Sequence, residues 1–179
     1  AMPYAEVPAF YTKLTKMNGS GPLALRLCIL TALRSYPIRM ARWEHLDLER
    51  KVWNIPGLLM KGGEDFRVAL SEAAIQLLSD LPQVSDYIFV SGNQGRPLSE
   101  GAMLAVLKRS GTTNATVHGF RSSFRDYVGE ETALSERIAE YALAHSVGSA
   151  TERAYARGDM LEKRFLMMNI WANYVTSET

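Results

Sequence analysis

The stretch from Pro22 to Leu33 is apolar apart from an interruption at Arg26, and it reads as a buried helix opened by Ser20 or Gly21, with Arg34 at its end. Ahead of it, Pro3 to Pro8 reads as an extended lead-in and Val7 to Leu14 as a short helix. The period then switches to two. Lys51-Val-Trp-Asn-Ile55 and Phe66-Arg-Val-Ala-Leu70 alternate as hairpin strands, and Pro56, Gly57, Gly62 and Gly63 punctuate their connection. Lys61 therefore falls on or beside an exposed β-turn. Ser71 reads as the N-cap of a helix over Glu72 to Leu78, Tyr87 to Val90 as a short strand, and Ser99 as the cap of a helix over Glu100 to Arg109.

From Val117 to Val128 the helical period separates two kinds of residue. At about 100° per residue, His118, Arg121 and Arg125 share one face while Phe120, Phe124 and Tyr127 share the other. The apolar face anchors such a helix and the basic face points toward a ligand. Glu136 to Leu143 reads as another helix, with His145 just beyond it. Leu161, Phe165, Met168 and Val175 form a stripe on a final amphipathic helix, which packs on its own domain or docks into a neighbouring subunit. The pattern predicts the α+β class: a mainly helical domain with a small antiparallel sheet inserted early.

Composition narrows the setting. The 179 residues fit one domain, long enough to bury roughly two-thirds of the unfolded surface. A hydrophobic share of 47% with 22% charged residues is that of an ordinary globular chain. With a net charge of +1, any attraction to DNA must come from local clustering of the 20 Lys and Arg residues. The single cysteine, Cys28, lies in an apolar run and reads as a small buried hydrophobe, in keeping with a reducing cytoplasm. The apolar run is too short to span a bilayer, and the first residues lack the basic, apolar and small-residue order of a secretion signal. A cytoplasmic location without membrane contact is expected. Neither His45 nor Cys28 has a partner at metal-ligand spacing, so no metal and no cofactor are expected. Trp43 and Trp53 read as core.

Arg34, Lys61, His118, Arg121, His145 and Tyr155 then stand out as an ordered set able to run phosphodiester chemistry. Guanidinium forks match phosphate oxygens, a lysine can protonate a leaving oxygen, histidines can move protons, and a phenol can attack once a base takes its proton. Each has an ordinary reading when taken singly. Arg34 or His145 could complement a helix dipole, Lys61 could be a solvated turn residue, and Tyr155 could be a packing tyrosine. Arg39, Arg42, Lys108, Arg109, Arg125, Arg153 and Arg157 could line a DNA groove or be solvated charges.

Their local contexts resemble the catalytic domain of tyrosine recombinases of the phage and genomic-island integrase type. The likeness lies in Leu30-Thr-Ala-Leu-Arg34 with Ala41-Arg-Trp43, in Met60-Lys61, in His118-Gly-Phe-Arg-Ser-Ser-Phe-Arg125, in Leu143-Ala-His145 through Ala150-Thr-Glu-Arg-Ala-Tyr-Ala-Arg157, and in Leu161-Glu-Lys-Arg164 onward. The resemblance implies Tyr155 as nucleophile forming a 3′-phosphotyrosyl linkage, with His118 as its base and Lys61 as the acid for the 5′ oxygen. It also implies that Arg34, Arg121 and His145 bind the nonbridging oxygens, and that no metal is needed. The implied partners are double-stranded attachment sites, further subunits forming a tetramer on DNA, and a directionality factor or DNA-bending protein. Tyr36-Pro37 stands where this family usually has a Gly-Glu pair. A catalytically impaired DNA-binding or assembly module, and a type IB topoisomerase, remain the alternatives. Residues 1–179 are expected to be a catalytic domain lacking its amino-terminal DNA-binding domains, with Ala1-Met2 extraneous to it.

Overall fold

Helix α2 (Ser20–Thr31) is the hub of the computed structural model, which describes residues 1–146, 148–149, 151 and 158–178. Its Leu25, Leu27, Ile29 and Leu30 are wholly or almost wholly buried, so apart from half-buried Arg26 the helix buries apolar residues on most of its circumference, as a central core helix does. Around it pack α1 (Val7–Thr15), α3 (Ser35–Arg39), α4 (Glu72–Ser79), α5 (Ala102–Arg109), α6 (Phe120–Glu131) and α8 (Leu161–Val175), with α7 (Glu136–Ala142) seated between α6 and α8. Gly21 permits the close approach of α5, since a Cβ there would stand 2.9 Å from a Val106 methyl.

The sheet is antiparallel in the order β1 (Leu46–Asp47), β2 (Val52–Ile55), β3 (Phe66–Ala69). Trp53 opposes Val68 and Ile55 opposes Phe66, and β3 packs on α8. The outermost strand, only two residues long, carries too little alternation to be read from the sequence. Between β2 and β3 a 3₁₀ turn (Gly57–Leu59) leads into a turn closed by the Gly63 N–H donating to the Met60 carbonyl at 3.0 Å. Lys61 occupies that turn and is exposed. A second, two-stranded piece pairs β4 (Val90–Ser91) with β5 (Arg96–Pro97).

Several boundaries differ from expectation. Pro3 to Pro8 is not extended: Tyr4–Glu6 form a 3₁₀ turn that runs into α1. Met2 is 4% exposed and belongs to the core, its carbonyl accepting from the Ser123 hydroxyl. Helix α2 stops at Thr31 because Ala32 enters the left-handed region at φ 55, so Arg34 caps the start of α3 rather than the end of α2. Of Tyr87 to Val90 only the last residue is in a strand, Tyr87 making an isolated bridge to Arg42. The helix expected from Glu100 begins at Ala102, and the one expected from Val117 begins at Phe120. Ser71 caps α4 as expected, its hydroxyl accepting from the Ala74 N–H at 3.2 Å.

The buried stripe of α8 runs through Arg164, Met167, Met168, Trp171, Ala172 and Val175, leaving Leu161 and Phe165 half-buried. The helix packs in cis. Trp171 is fully buried, donates from Nε1 to the Ile29 carbonyl at 2.8 Å, and meets the Phe124 ring edge-on at 5.6 Å. At the start of α8, Arg67 makes two hydrogen bonds to Asp159 (2.9 and 2.7 Å), and the buried Arg164 guanidinium lies 4.8 Å from the Phe66 ring centroid. Replacing Trp171 by Ala should therefore lower unfolding free energy by about 3–5 kcal/mol in urea denaturation. A loss below about 1 kcal/mol, the scale of a single hydrogen bond, would contradict this packing.

Candidate active site

Arg121 lies in the first turn of α6, and its guanidinium is drawn into the protein: the residue is 5% exposed. Its Nη1 donates to the Ala32 carbonyl at 2.7 Å, and its Nη2 donates to the Leu143 carbonyl at 2.9 Å. A further Nη2 contact reaches His145 Nε2 at 3.1 Å. The two carbonyls belong to the C-caps of α2 and α7, where unpaired acceptors and the negative dipole end both favour a cation. Ala32 (φ 55) and Ala144 (φ 56) turn the chain away at these two places through the left-handed region. Burial, then the neighbouring charge of Arg34, lowers the Arg121 pKa to about 10, so it remains a cation at neutral pH. Beside it, burial pushes the Cys28 thiol up to about 12, leaving it neutral and donating to the Leu33 carbonyl at 3.2 Å.

Arg34, Lys61 and Arg121 line one shallow concavity floored by Leu33, Pro37 and Leu143. Arg34 reaches it from the cap of α3, and Lys61 from the hairpin turn. Among the described residues neither makes a hydrogen bond or an ion pair, so both cations are available to an anion. A larger open groove beside Trp43, Glu44 and Asp86 shares no lining residue with this concavity and presents carboxylates instead.

His118 precedes α6 in a turn. Gly119 beside it has no room for a Cβ, which would meet Thr116 Oγ1 at 2.9 Å and the Ala1 backbone at 3.0 Å. The residue as a whole is exposed, yet the protein around its ring displaces solvent. That desolvation, followed by the fields of Arg121, Arg34, Lys61 and His145, holds His118 below the ordinary histidine range. Four other candidate groups thus act on one imidazole and keep it neutral. A neutral imidazole can accept a proton.

His145 follows α7, its Nδ1 2.6 Å from Glu140 Oε2. The other carboxylate oxygen, Oε1, stands 2.8 Å from Arg125 Nη1. Glu140 was not singled out in the sequence; its position five residues ahead of His145, near the end of the same helix, was the available signal. Arg39 donates to the Leu98 carbonyl at 2.9 Å and lies over the Tyr36 ring. Arg42 donates to the Tyr87 hydroxyl at 3.2 Å and lies 4.7 Å from that ring centroid. These contacts hold both arginines to the protein. Lys108 and Arg109 are exposed in the last turn of α5. Tyr155, Arg153 and Arg157 lie outside the described residues. Among the described residues no group of three His, Cys, Asp or Glu is placed to hold a metal ion, and no helix is long and apolar enough to cross a membrane.

The chain has counterparts among known proteins. Residues 4–162 match the phage integrase family, and the chain belongs to that family. It is 36% identical to the prophage integrase IntZ of Escherichia coli (strain K12), over 98% of this chain and 45% of that protein. It is 31% identical to the integrase of Shigella phage Sf6, over 97% of this chain and 47% of that protein. The chain thus spans about half the length of the curated relatives it matches. The crystal structure of XerA recombinase shares the fold, with a TM-score of 0.60 at 16% identity, covering 88% of this chain and 61% of that one.

The depressed His118 has a measurable consequence. Because its folded pKa lies below the unfolded value, the neutral ring is favoured by folding. The associated stability is fully present above about pH 6.5 and is lost as pH falls through the folded pKa. In an NMR titration His118 should ionise below the ordinary histidine value, and Arg34→Ala should move its midpoint upward. A midpoint at or above about 6.5 in the unsubstituted chain would contradict the convergence of cations on this ring.

Proposed function

We propose that the chain, residues 1–179, is the catalytic domain of a site-specific DNA recombinase that integrates or excises a mobile element through a 3′-phosphotyrosyl intermediate. The observation that carries this reading is the set of cations around a neutral His118: Arg34, Lys61 and Arg121 face one concavity, and two of the three are unpartnered among the described residues. Such a site favours an incoming phosphodiester, whose charge relieves the repulsion between Arg34 and Arg121.

In the proposed chemistry Tyr155 Oη attacks the scissile phosphorus and His118 takes the phenolic proton. The bond to the 5′ oxygen breaks as Lys61 delivers a proton to it, leaving a free 5′-hydroxyl and a phosphotyrosine ester. Arg34 and Arg121 bind the nonbridging oxygens while negative charge builds there, and His145 stands against Arg121. The guanidiniums supply positive charge that a divalent ion supplies in other phosphoryl-transfer enzymes. Reversal by a different 5′-hydroxyl reseals the strand, the ester having conserved the bond energy. The reading carries with it double-stranded attachment sites, a tetramer assembled on DNA, a directionality or DNA-bending partner, and amino-terminal domains that complete the grip on the duplex. Exposed Arg125, with Arg39, Arg42, Arg153 and Arg157, would contribute to that grip.

One observation favours a second reading. The family's usual Gly-Glu pair is replaced by Tyr36-Pro37, and Arg34 has no carboxylate partner among the described residues. A DNA-binding or assembly module with weakened catalysis would look the same. A nicked suicide duplex separates the two, because the released fragment diffuses away and traps the covalent adduct. The recombinase reading predicts an SDS-stable adduct that disappears in Tyr155→Phe while duplex affinity stays nearly unchanged. DNA binding with no adduct from the unsubstituted chain favours the module, and an adduct that persists in the Phe variant removes Tyr155 as nucleophile.

A further inference from the structure

We propose that Glu140 is a positioning residue: it sets the tautomer of His145, and through that ring the orientation of the Arg121 guanidinium. The argument begins with what arginine can do. A guanidinium only donates, so the His145 Nε2 that stands 3.1 Å from Arg121 Nη2 must be a bare acceptor. The ring proton is then on Nδ1, and Nδ1 is the atom 2.6 Å from the Glu140 carboxylate. Two contacts on opposite sides of one ring specify the same tautomer.

Without the carboxylate this tautomer loses its support, since a neutral imidazole in water favours the proton on Nε2. That form would set an N–H of His145 against an N–H of Arg121. Donor would face donor, and one side chain would have to leave. Arg121 would keep the Ala32 and Leu143 carbonyls but lose its third acceptor, and its remaining N–H groups would no longer be aimed by a closed set of contacts. Glu140 therefore acts on Arg121 without touching it.

A plainer role must be separated from this one. Glu140 also pairs with Arg125, one turn beyond Arg121 on α6, and so could simply staple α7 to α6. Arg125→Ala removes the staple and leaves the contact to His145. Glu140→Ala removes both. Glu140→Gln keeps an oxygen that can accept from Nδ1–H.

The direct test is imidazole ¹⁵N NMR on the uniformly labelled chain, at a pH well above histidine titration, with the His145 signals assigned from His145→Gln. In the unsubstituted chain Nδ1 should be protonated and Nε2 bare. Glu140→Ala should shift His145 toward the Nε2–H form, while Arg125→Ala and Glu140→Gln should retain Nδ1–H. On the same suicide duplex, Glu140→Ala should lower the single-turnover adduct rate by about 10–100-fold, the usual effect of removing a residue that orients a ligating histidine. Glu140→Gln should stay close to the unsubstituted rate; Arg125→Ala is read by the tautomer alone. Protonation of Nε2 in the unsubstituted chain would overturn the proposal without any variant having to fold. So would a Glu140→Ala ring that keeps Nδ1–H, or an Arg125→Ala ring that shifts to Nε2–H as Glu140→Ala does. The adduct arm rests on the recombinase reading and the tautomer arm does not: if the unsubstituted chain forms no adduct, that reading fails while the ¹⁵N result still decides the role of Glu140.

Discussion

The site depends on one buried guanidinium. Arg121 joins the C-cap carbonyls of α2 and α7, two helices that approach each other end-on and otherwise present unpaired acceptors and like dipole ends at the same place. A cation there satisfies both. Leucine or methionine of similar volume would leave the carbonyls unpaired in a buried setting, which is costly. A lysine offers a point charge where a fork is needed. The same bonds that hold α2 and α7 together therefore aim Arg121, and the geometry proposed for catalysis is not separable from core stability at this residue.

Around that anchor the charges follow a consistent logic. Arg34, on the cap of α3, and Lys61, on the hairpin turn, come to the concavity from elements far apart in sequence. Both remain without a partner among the described residues, and Glu140 is engaged by His145 and Arg125. The result is an arrangement of cations whose mutual repulsion an incoming phosphate relieves. Desolvation, then the same field, favours the neutral form of His118. The groups proposed to bind charge and the group proposed to accept a proton are thereby differentiated by position, with no change of residue type.

Much of this was legible in the sequence, for identifiable reasons. The hairpin showed in the alternation around Trp53 and Val68, the start of α4 in Ser71, and the apolar face of α6 in Phe120 and Phe124. The His118-Gly-Phe-Arg121 run carried its own punctuation, since Gly119 is required by the tight approach of Thr116 and Ala1. Other features had no local signal. Ala32 and Ala144 end their helices in a conformation that usually advertises itself by glycine, so the end of α2 was read too late and Arg34 was assigned to the wrong helix. The contacts of Arg39 to Leu98 and of Arg42 to Tyr87 join residues distant in sequence. Glu140 is an ordinary helix carboxylate until the chain turns at Ala144 and brings His145 back onto it. None of these features leaves a local pattern in the sequence.

The central claim is that the cation site organised by Arg121 serves Tyr155, and peptide mapping of the trapped adduct tests it most directly. After trapping on a nicked duplex, nuclease digestion and trypsin cleavage, mass spectrometry should find the residual nucleotide 3′-phosphate on the short peptide from Ala154 to Arg157. Modification of a peptide carrying Tyr36, Tyr87 or Tyr141 instead, or none from a chain that binds the duplex, would contradict the account.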